Sequence, residues 1–247
     1  MRQETVTLRH NIHDSGLATG SRTGNHMERT MLTIYGIYKS RATRVFWLMN
    51  ELGLEARHVP VVQKYKLADP LAADAPLNTG SPEFLKLSPA GTIPCMEDDG
   101  LVLHESLAIN LYLARKEGGP LAPADLAEEA QMMNWALYAA TGIEGPALDI
   151  SYTYAEGKQD DPVGHAVVAA AADKLRRPFA VLEAHLAEGG FMVGGRFTVA
   201  DINTAECVRY AQPHAPLLAE FPALKGWLEA CQARPAFQAM WAARAAE

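Results

Sequence analysis

The chain has 247 residues, enough for one large domain or two smaller ones with complete cores. Apolar residues make up 49% and charged residues 21%, which is ordinary globular composition, and the net charge is −7. That balance argues against a phosphate-backbone partner, which demands a basic face, and leaves any anionic ligand to be held by local groups.

Residues 1–30 are polar, aperiodic and without an apolar core segment, so they read as an extension or an overlong start rather than a secretory signal. His10, His13 and His26 are scattered through them, and Met27 and Met31 are alternative starts. Order begins at Leu32-Thr33-Ile34-Tyr35, a short strand. Val45, Leu48, Met49 and Leu52 then mark one face of a helix closed by Gly53. Residues 57–62 read as a second strand, so the chain opens β-α-β with a parallel pair.

A long polar stretch, 63–81, reads as a functional or mobile loop, and a short helix follows at 82–87. Residues 93–96 and 101–103 flank Asp98-Asp99-Gly100 as an antiparallel hairpin. Glu105-Ser106 then opens a helix through Arg115, with Ser106 as N-cap. The sum is a thioredoxin-like α/β domain over 31–117, a Gly-Gly-Pro linker at 118–124, and an all-α domain over 125–247. Helices are expected at 125–141, 165–187, 199–210 and 222–232. Thr198-Val199-Ala200-Asp201 is a capping box, with Phe197 and Ile202 placed to form a hydrophobic staple.

Three features carry chemistry, each with a plainer alternative. Pro94 interrupts a good strand. It is either an edge-strand proline or a cis turn that presents the Ile93 main chain to a peptide-like ligand. Glu105-Ser106 is either a simple cap or a site for an amino-acid head group, with the carboxylate at the helix end and Ser106 and the ammonium on Glu105. Ser40 is either an N-cap or a hydroxyl that donates to a thiolate, with Tyr35 and Tyr38 as rivals. Arg41 and Arg44 are candidates to assist, or are salt-bridged. Met132, Trp135, Tyr138, Met240 and Trp241 are core residues or the lining of a substrate pocket. His104 is a packing residue or touches the site, and Cys95, Cys207 and Cys231, without CxxC spacing, are packing thiols in a reducing compartment.

Lys39-Ser40-Arg41-Ala42-Thr43-Arg44, Ser88-Pro89-Ala90-Gly91-Thr92-Ile93-Pro94, Glu105-Ser106-Leu107-Ala108-Ile109 and Phe197-Thr198-Val199-Ala200-Asp201-Ile202 occur in this order. Together they resemble the cytosolic glutathione transferases, of a bacterial type with an active-site serine. The resemblance implies that Ile93, beside a cis Pro94, binds the cysteinyl main chain of glutathione. It implies that Glu105 and Ser106 hold the γ-glutamyl group and that Ser40 faces the sulfur. The glycyl end would meet Lys64, Asn78 or Thr79. The implied activity is attack of the glutathione thiol on a small electrophile by a cytoplasmic homodimer, with glutathione as co-substrate and no metal, nucleic acid or membrane. A glutathione-dependent reductase, peroxidase or isomerase, or a non-catalytic interaction module, are the alternatives on the same scaffold.

Overall fold

The computed structural model of the chain describes residues 31–247; the expectations for His10, His13, His26 and Met27 fall outside them. Strand β1 (Thr33–Tyr35) leads through helix α1 (Thr43–Leu52) to β2 (Arg57–Val59). After a long connection come α2 (Pro82–Leu87), β3 (Cys95–Asp98), β4 (Leu101–Leu103) and α3 (Ser106–Glu117). The sheet order is β2-β1-β3-β4. β1 and β2 are parallel, with Ile34 opposite His58, and the other pairs are antiparallel, with Tyr35 opposite Cys95 and Met96 opposite Leu103. This is the thioredoxin-like arrangement.

Local chemistry accounts for these elements. The α1 face bearing Val45, Trp47 and Leu48 is fully buried, and Gly53 ends the helix at φ +64° with its amide on the Met49 carbonyl. The β3–β4 turn places Asp99 and Gly100 at φ +49° and +84°, the left-handed pair that an Asp-Gly hairpin turn demands. Residues 63–81 are not one open loop. Lys64–Lys66 form a helical turn, and Val62 bridges Asn78, whose buried side chain donates to the Pro70 and Pro76 carbonyls and accepts from the Gly80 amide.

The rest is helical: α4 (Leu126–Tyr138), α5 (Glu144–Ala155), α6 (Pro162–Gly189), α7 (Val199–Val208), α8 (Ala215–Ala219), α9 (Pro222–Gln232) and α10 (Pro235–Ala246). A π-helical turn at Ala139–Ile143 joins α4 to α5. Sequence periodicity passes over α5, α8 and α10. Gly145 and Pro146 are poor helix formers, yet both lie in α5, directly after the π-helical turn. Pro235 opens α10, where its missing N–H costs nothing. The capping box of α7 forms, with Asp201 Oδ2 accepting from the Thr198 amide at 2.9 Å. Its other oxygen accepts from Trp227 Nε1 at 2.9 Å and the Met192 amide at 3.0 Å, tying α7 to α9.

One apolar core runs through both halves: Ile34, Trp47 and Ile109 join Phe179, Ile202 and Leu228. Asn110 on α3 donates to Asn203 Oδ1 on α7 at 2.9 Å and to the Arg44 carbonyl at 3.1 Å, so a buried polar contact fixes the same interface. Among the described residues, no helix is long and apolar enough to cross a membrane.

Candidate functional site

The functional side chains are set by three local devices. The first is the turn before β3. Gly91 sits at φ +60°, and a Cβ there would lie 2.8 Å from the Thr79 carbonyl oxygen, so only glycine fits. Its amide donates to the Ser88 carbonyl, and the buried Ser88 hydroxyl donates to the Thr92 carbonyl at 3.2 Å. The turn delivers Ile93-Pro94, whose peptide is cis. The Ile93 amide and carbonyl form none of the loop and turn hydrogen bonds among the described residues.

The second device is the start of α3. Glu105, not Ser106, occupies the N-cap position, and its exposed side chain makes no cap bond. Ser106 is the first helical residue and is buried, and its hydroxyl accepts from Arg44 Nη1 at 3.0 Å. The expected serine cap is therefore corrected. A fully buried guanidinium is a stronger donor for that oxygen than a main-chain amide.

The third device is the approach to α1. Ser40 lies before the helix, which begins at Thr43 with Ala42 as its N-cap, so Ser40 does not cap α1. Its hydroxyl donates to the Ile37 carbonyl at 2.6 Å and accepts from the Ala42 amide at 3.0 Å. Of the rival hydroxyls, that of Tyr35 is engaged elsewhere. Tyr35 donates to Glu97 Oε2, and Tyr38 stacks on Phe46 at 4.2 Å.

These devices face two adjoining cavities. One, of about 650 Å³, is lined by Ile93, Pro94, Glu105, Ser106 and His104, with Ala136, Leu137 and Ala140 opposite. The other, of about 480 Å³, is lined by Ser40, Lys64, Thr79 and Ile93, with Tyr152 and Tyr210 from the helical half. They share Arg41, Thr92 and Ile93. All five predicted site residues thus border one continuous cleft. Of the two alternatives for Met132, Trp135 and Tyr138, packing holds, and none of the three lines either cavity. Met132 is core and Trp135 packs on His185 at 4.7 Å, while their neighbours Met133 and Ala136 face the cleft. Met240 is fully buried.

A charged layer lies beneath the cleft. Glu144, at the start of α5, pairs with Arg41 Nε. Arg44 Nη2 stands 2.9 Å from Glu144 Oε1, an ionic contact outside hydrogen-bonding angle, while Arg44 Nε has no partner. Glu206 is fully buried and accepts from Thr43 Oγ1 at 2.7 Å and from Arg209 Nε at 2.6 Å. Burial pushes both carboxyls up, but the facing guanidinium groups outweigh it and hold Glu144 and Glu206 below the ordinary carboxylate value. Burial raises the thiols instead: Cys95, 3.6 Å from His104 Nδ1, to about 11, and Cys207 to about 12. These are packing thiols, not thiolates.

The fold and cleft define a thioredoxin-like domain fused to a helical domain, with a cis-proline turn at their junction. Comparison with known proteins names the family. The profile described as "Glutathione S-transferase, N-terminal domain" matches residues 40–116, and that described as "Glutathione S-transferase, C-terminal domain" matches residues 131–235. The chain belongs to the glutathione S-transferase family. It is 36% identical over 221 residues to glutathione S-transferase 3 of Zea mays, a match covering 84% of this chain and 91% of that protein. Glutathione transferase F7 from Populus trichocarpa superposes with a TM-score of 0.71 at 26% identity, over 86% of this chain and 99% of the other. Elongation factor 1-gamma of Sus scrofa is 33% identical over 172 residues, covering 65% of this chain but only 37% of that protein. The similarity to plant transferases gives no support to the bacterial subclass expected from sequence.

Proposed function

We propose that this glutathione transferase lays glutathione along the continuous cleft, from Ser106 past Ile93 to Ser40, and activates its thiol for attack on a small electrophile. The observation that carries the reading is the convergence of Ser40, Ile93-Pro94 and Glu105-Ser106 on two cavities that meet at Ile93. The γ-glutamyl carboxylate fits at Ser106 and the start of α3, above Arg44, whose Nε lacks a partner. The ammonium group fits at Glu105. The free Ile93 main chain pairs with the cysteinyl unit, and the glycyl carboxylate extends toward Lys64 and Thr79. On this reading residues 31–117 form the glutathione domain, 118–124 the linker and 125–247 the helical domain of a cytoplasmic homodimer.

The Ser40 hydroxyl turns from the Ile37 carbonyl to the sulfur when the thiolate is present. Converting a thiol of pKa near 8.5 into a predominant thiolate at neutral pH requires a drop of about two units, or about 2.7 kcal/mol. One hydrogen bond to a charged acceptor supplies about 1.5–3 kcal/mol. The end of α1 adds about 0.3–1 kcal/mol. A serine therefore suffices without a cysteine or a metal, and no cysteine lies beside position 40. The thiolate attacks an electrophilic carbon, the C–S bond forms, and the leaving group departs with its electron pair.

Retention on immobilised glutathione, followed by a conjugation assay, tests the reading. Retention with turnover is expected. Retention without turnover on any electrophile would favour the non-catalytic module, a possibility raised by the likeness to part of an elongation factor.

A further inference from the structure

The whole chain carries a net charge of −7, yet the cavity beside Ser40 is lined by six cationic side chains and by no acidic one. Lys39, Lys64 and Lys66 stand on the thioredoxin-like wall, Arg41 at the junction, and Arg209 and Arg244 on the helical wall. Two of the six are neutralised from behind: Arg41 by Glu144 and Arg209 by Glu206. Arg244 is not. Its Nη1 donates to the Tyr38 carbonyl and its guanidinium lies 5.3 Å from the Trp241 ring, but it forms no ion pair among the described residues. Glu247 is the nearby acid, and its oxygens accept from the Tyr38 and Lys39 amides at 3.0 and 2.7 Å.

Glutathione cannot use all of this charge. On the reading above, its γ-glutamyl carboxylate lies in the other cavity and its glycyl carboxylate engages the lysine wall. Arg244 and Arg209 remain across from the sulfur, beside the rings of Tyr210 and Tyr152 and the side chain of Leu148. Arg209 lies 4.5 Å from the Tyr210 ring centre, so cation and ring present one surface. Burial and the neighbouring Arg209 push the Arg244 guanidinium below its ordinary value, and burial does the same to the Lys66 ammonium. Glu247 acts on both groups in the opposite sense, and Glu206 on Arg244, but neither restores the ordinary value, so a further anion would be stabilised here.

We propose that the cavity beside Ser40 selects electrophiles bearing an anionic group, such as an aromatic ring with a carboxylate, and that Arg244 receives that charge while Tyr152 and Tyr210 flank the ring. The inference rests on the transferase reading and narrows its second substrate. The carboxylate takes no part in the reaction. The thiolate attacks the ring carbon that carries chloride, the C–S bond forms, and chloride leaves with the electron pair of the broken C–Cl bond.

A matched pair of substrates tests it: a chlorodinitrobenzoate with chloride para to the carboxylate, and its methyl ester. Each kcat/KM is divided by the uncatalysed rate with glutathione, which removes the difference in intrinsic reactivity. The normalised value for the acid is expected to exceed that for the ester by about tenfold or more, as a one-sign cleft concentrates its counter-ion. Rising salt should lower the acid's value and leave the ester's flat. Arg244→Gln should bring the acid-to-ester ratio toward one, whereas Lys174→Gln, the same charge change on the exposed face of α6, should not. A ratio of one or less in the unaltered chain, or a ratio indifferent to Arg244→Gln, overturns the proposal. Turnover of the ester without preference for the acid ends this inference and leaves the transferase reading intact. Turnover of neither overturns both.

Discussion

The two cavities of the cleft share Arg41, Thr92 and Ile93, but they are built on different principles. The one at Glu105 and Ser106 offers main-chain groups, a helix start and an apolar face of α4, and its buried guanidinium has a carboxylate facing it: Arg44, together with the half-exposed Arg41, closes on Glu144. The one at Ser40 offers lysines and arginines, of which Arg244 forms no ion pair among the described residues. The first suits a ligand of fixed, zwitterionic shape, held by geometry. The second suits a partner chosen by charge and ring shape. The difference teaches that one cleft can separate recognition of a constant co-substrate from selection of a variable one, because matched buried charges rigidify while unmatched ones attract.

The largest expected effect comes from unmatching the first cavity. Glu144→Gln removes the carboxylate facing Arg44, which is 1% exposed, and leaves a buried guanidinium without its counter-ion. Breaking a buried pair in this way costs about 3–5 kcal/mol, read as a fall in the denaturant midpoint at constant slope. The same layer sets acid stability. Glu144 and Glu206 titrate below the ordinary value of 4.5 in the folded chain. Their contribution is therefore present above that value and is lost as the pH falls through the depressed folded values. In Glu144→Gln the midpoint should depend less steeply on pH across this window, and an unchanged slope would show that Arg44 and Glu144 are not coupled.

Next in size is Ser40→Ala, which strikes the second cavity where the sulfur lies. It should lower kcat/KM about 10- to 100-fold at neutral pH and raise the thiol pKa of bound glutathione by one to two units. Thiolate absorbance across a pH titration of the complex measures the shift. If pKa and turnover both stay put, another group activates the sulfur. Ser106→Ala returns to the first cavity and should raise the glutathione KM about tenfold with kcat nearly unchanged, because it removes a contact made equally before and during reaction.

Much of this was legible in the sequence because it depended on local signals. Gly91, Pro94 and Asp99-Gly100 are positions where the backbone admits few residue types, and each sits in the turn that its type demands. The four spaced motifs led to the family, and Ser40, Ile93, Pro94, Glu105 and Ser106 all reach the cleft. What stayed hidden depended on long-range pairing. Ser106 looked like a cap because its partner, Arg44, is 62 residues away in sequence. Arg209 and Arg244 belong to none of the motifs, and only the folding of α10 against α1 brings Arg244 to the Tyr38 carbonyl. On α4, Met132, Trp135 and Tyr138 mark the packed stripe, as large apolar residues at helical spacing usually do, while nothing in the sequence singles out the small Ala136 and Ala140 that leave room for a ligand.

The smallest expected effect completes the contrast in how charges are matched. Arg176 on α6 meets Glu220 by two parallel bonds, Nε to Oε2 at 2.9 Å and Nη2 to Oε1 at 3.0 Å. Judged by geometry alone, this fork is better formed than the contact between Arg44 and Glu144. Its side chains are 48% and 41% exposed, however, so water and salt screen the pair, and both groups regain full hydration when it breaks. Arg176→Gln should therefore leave the unfolding midpoint unchanged within error, at low and high salt alike. A loss comparable to that of Glu144→Gln would mean that bond geometry, rather than removal from water, sets the worth of a charge pair in this chain.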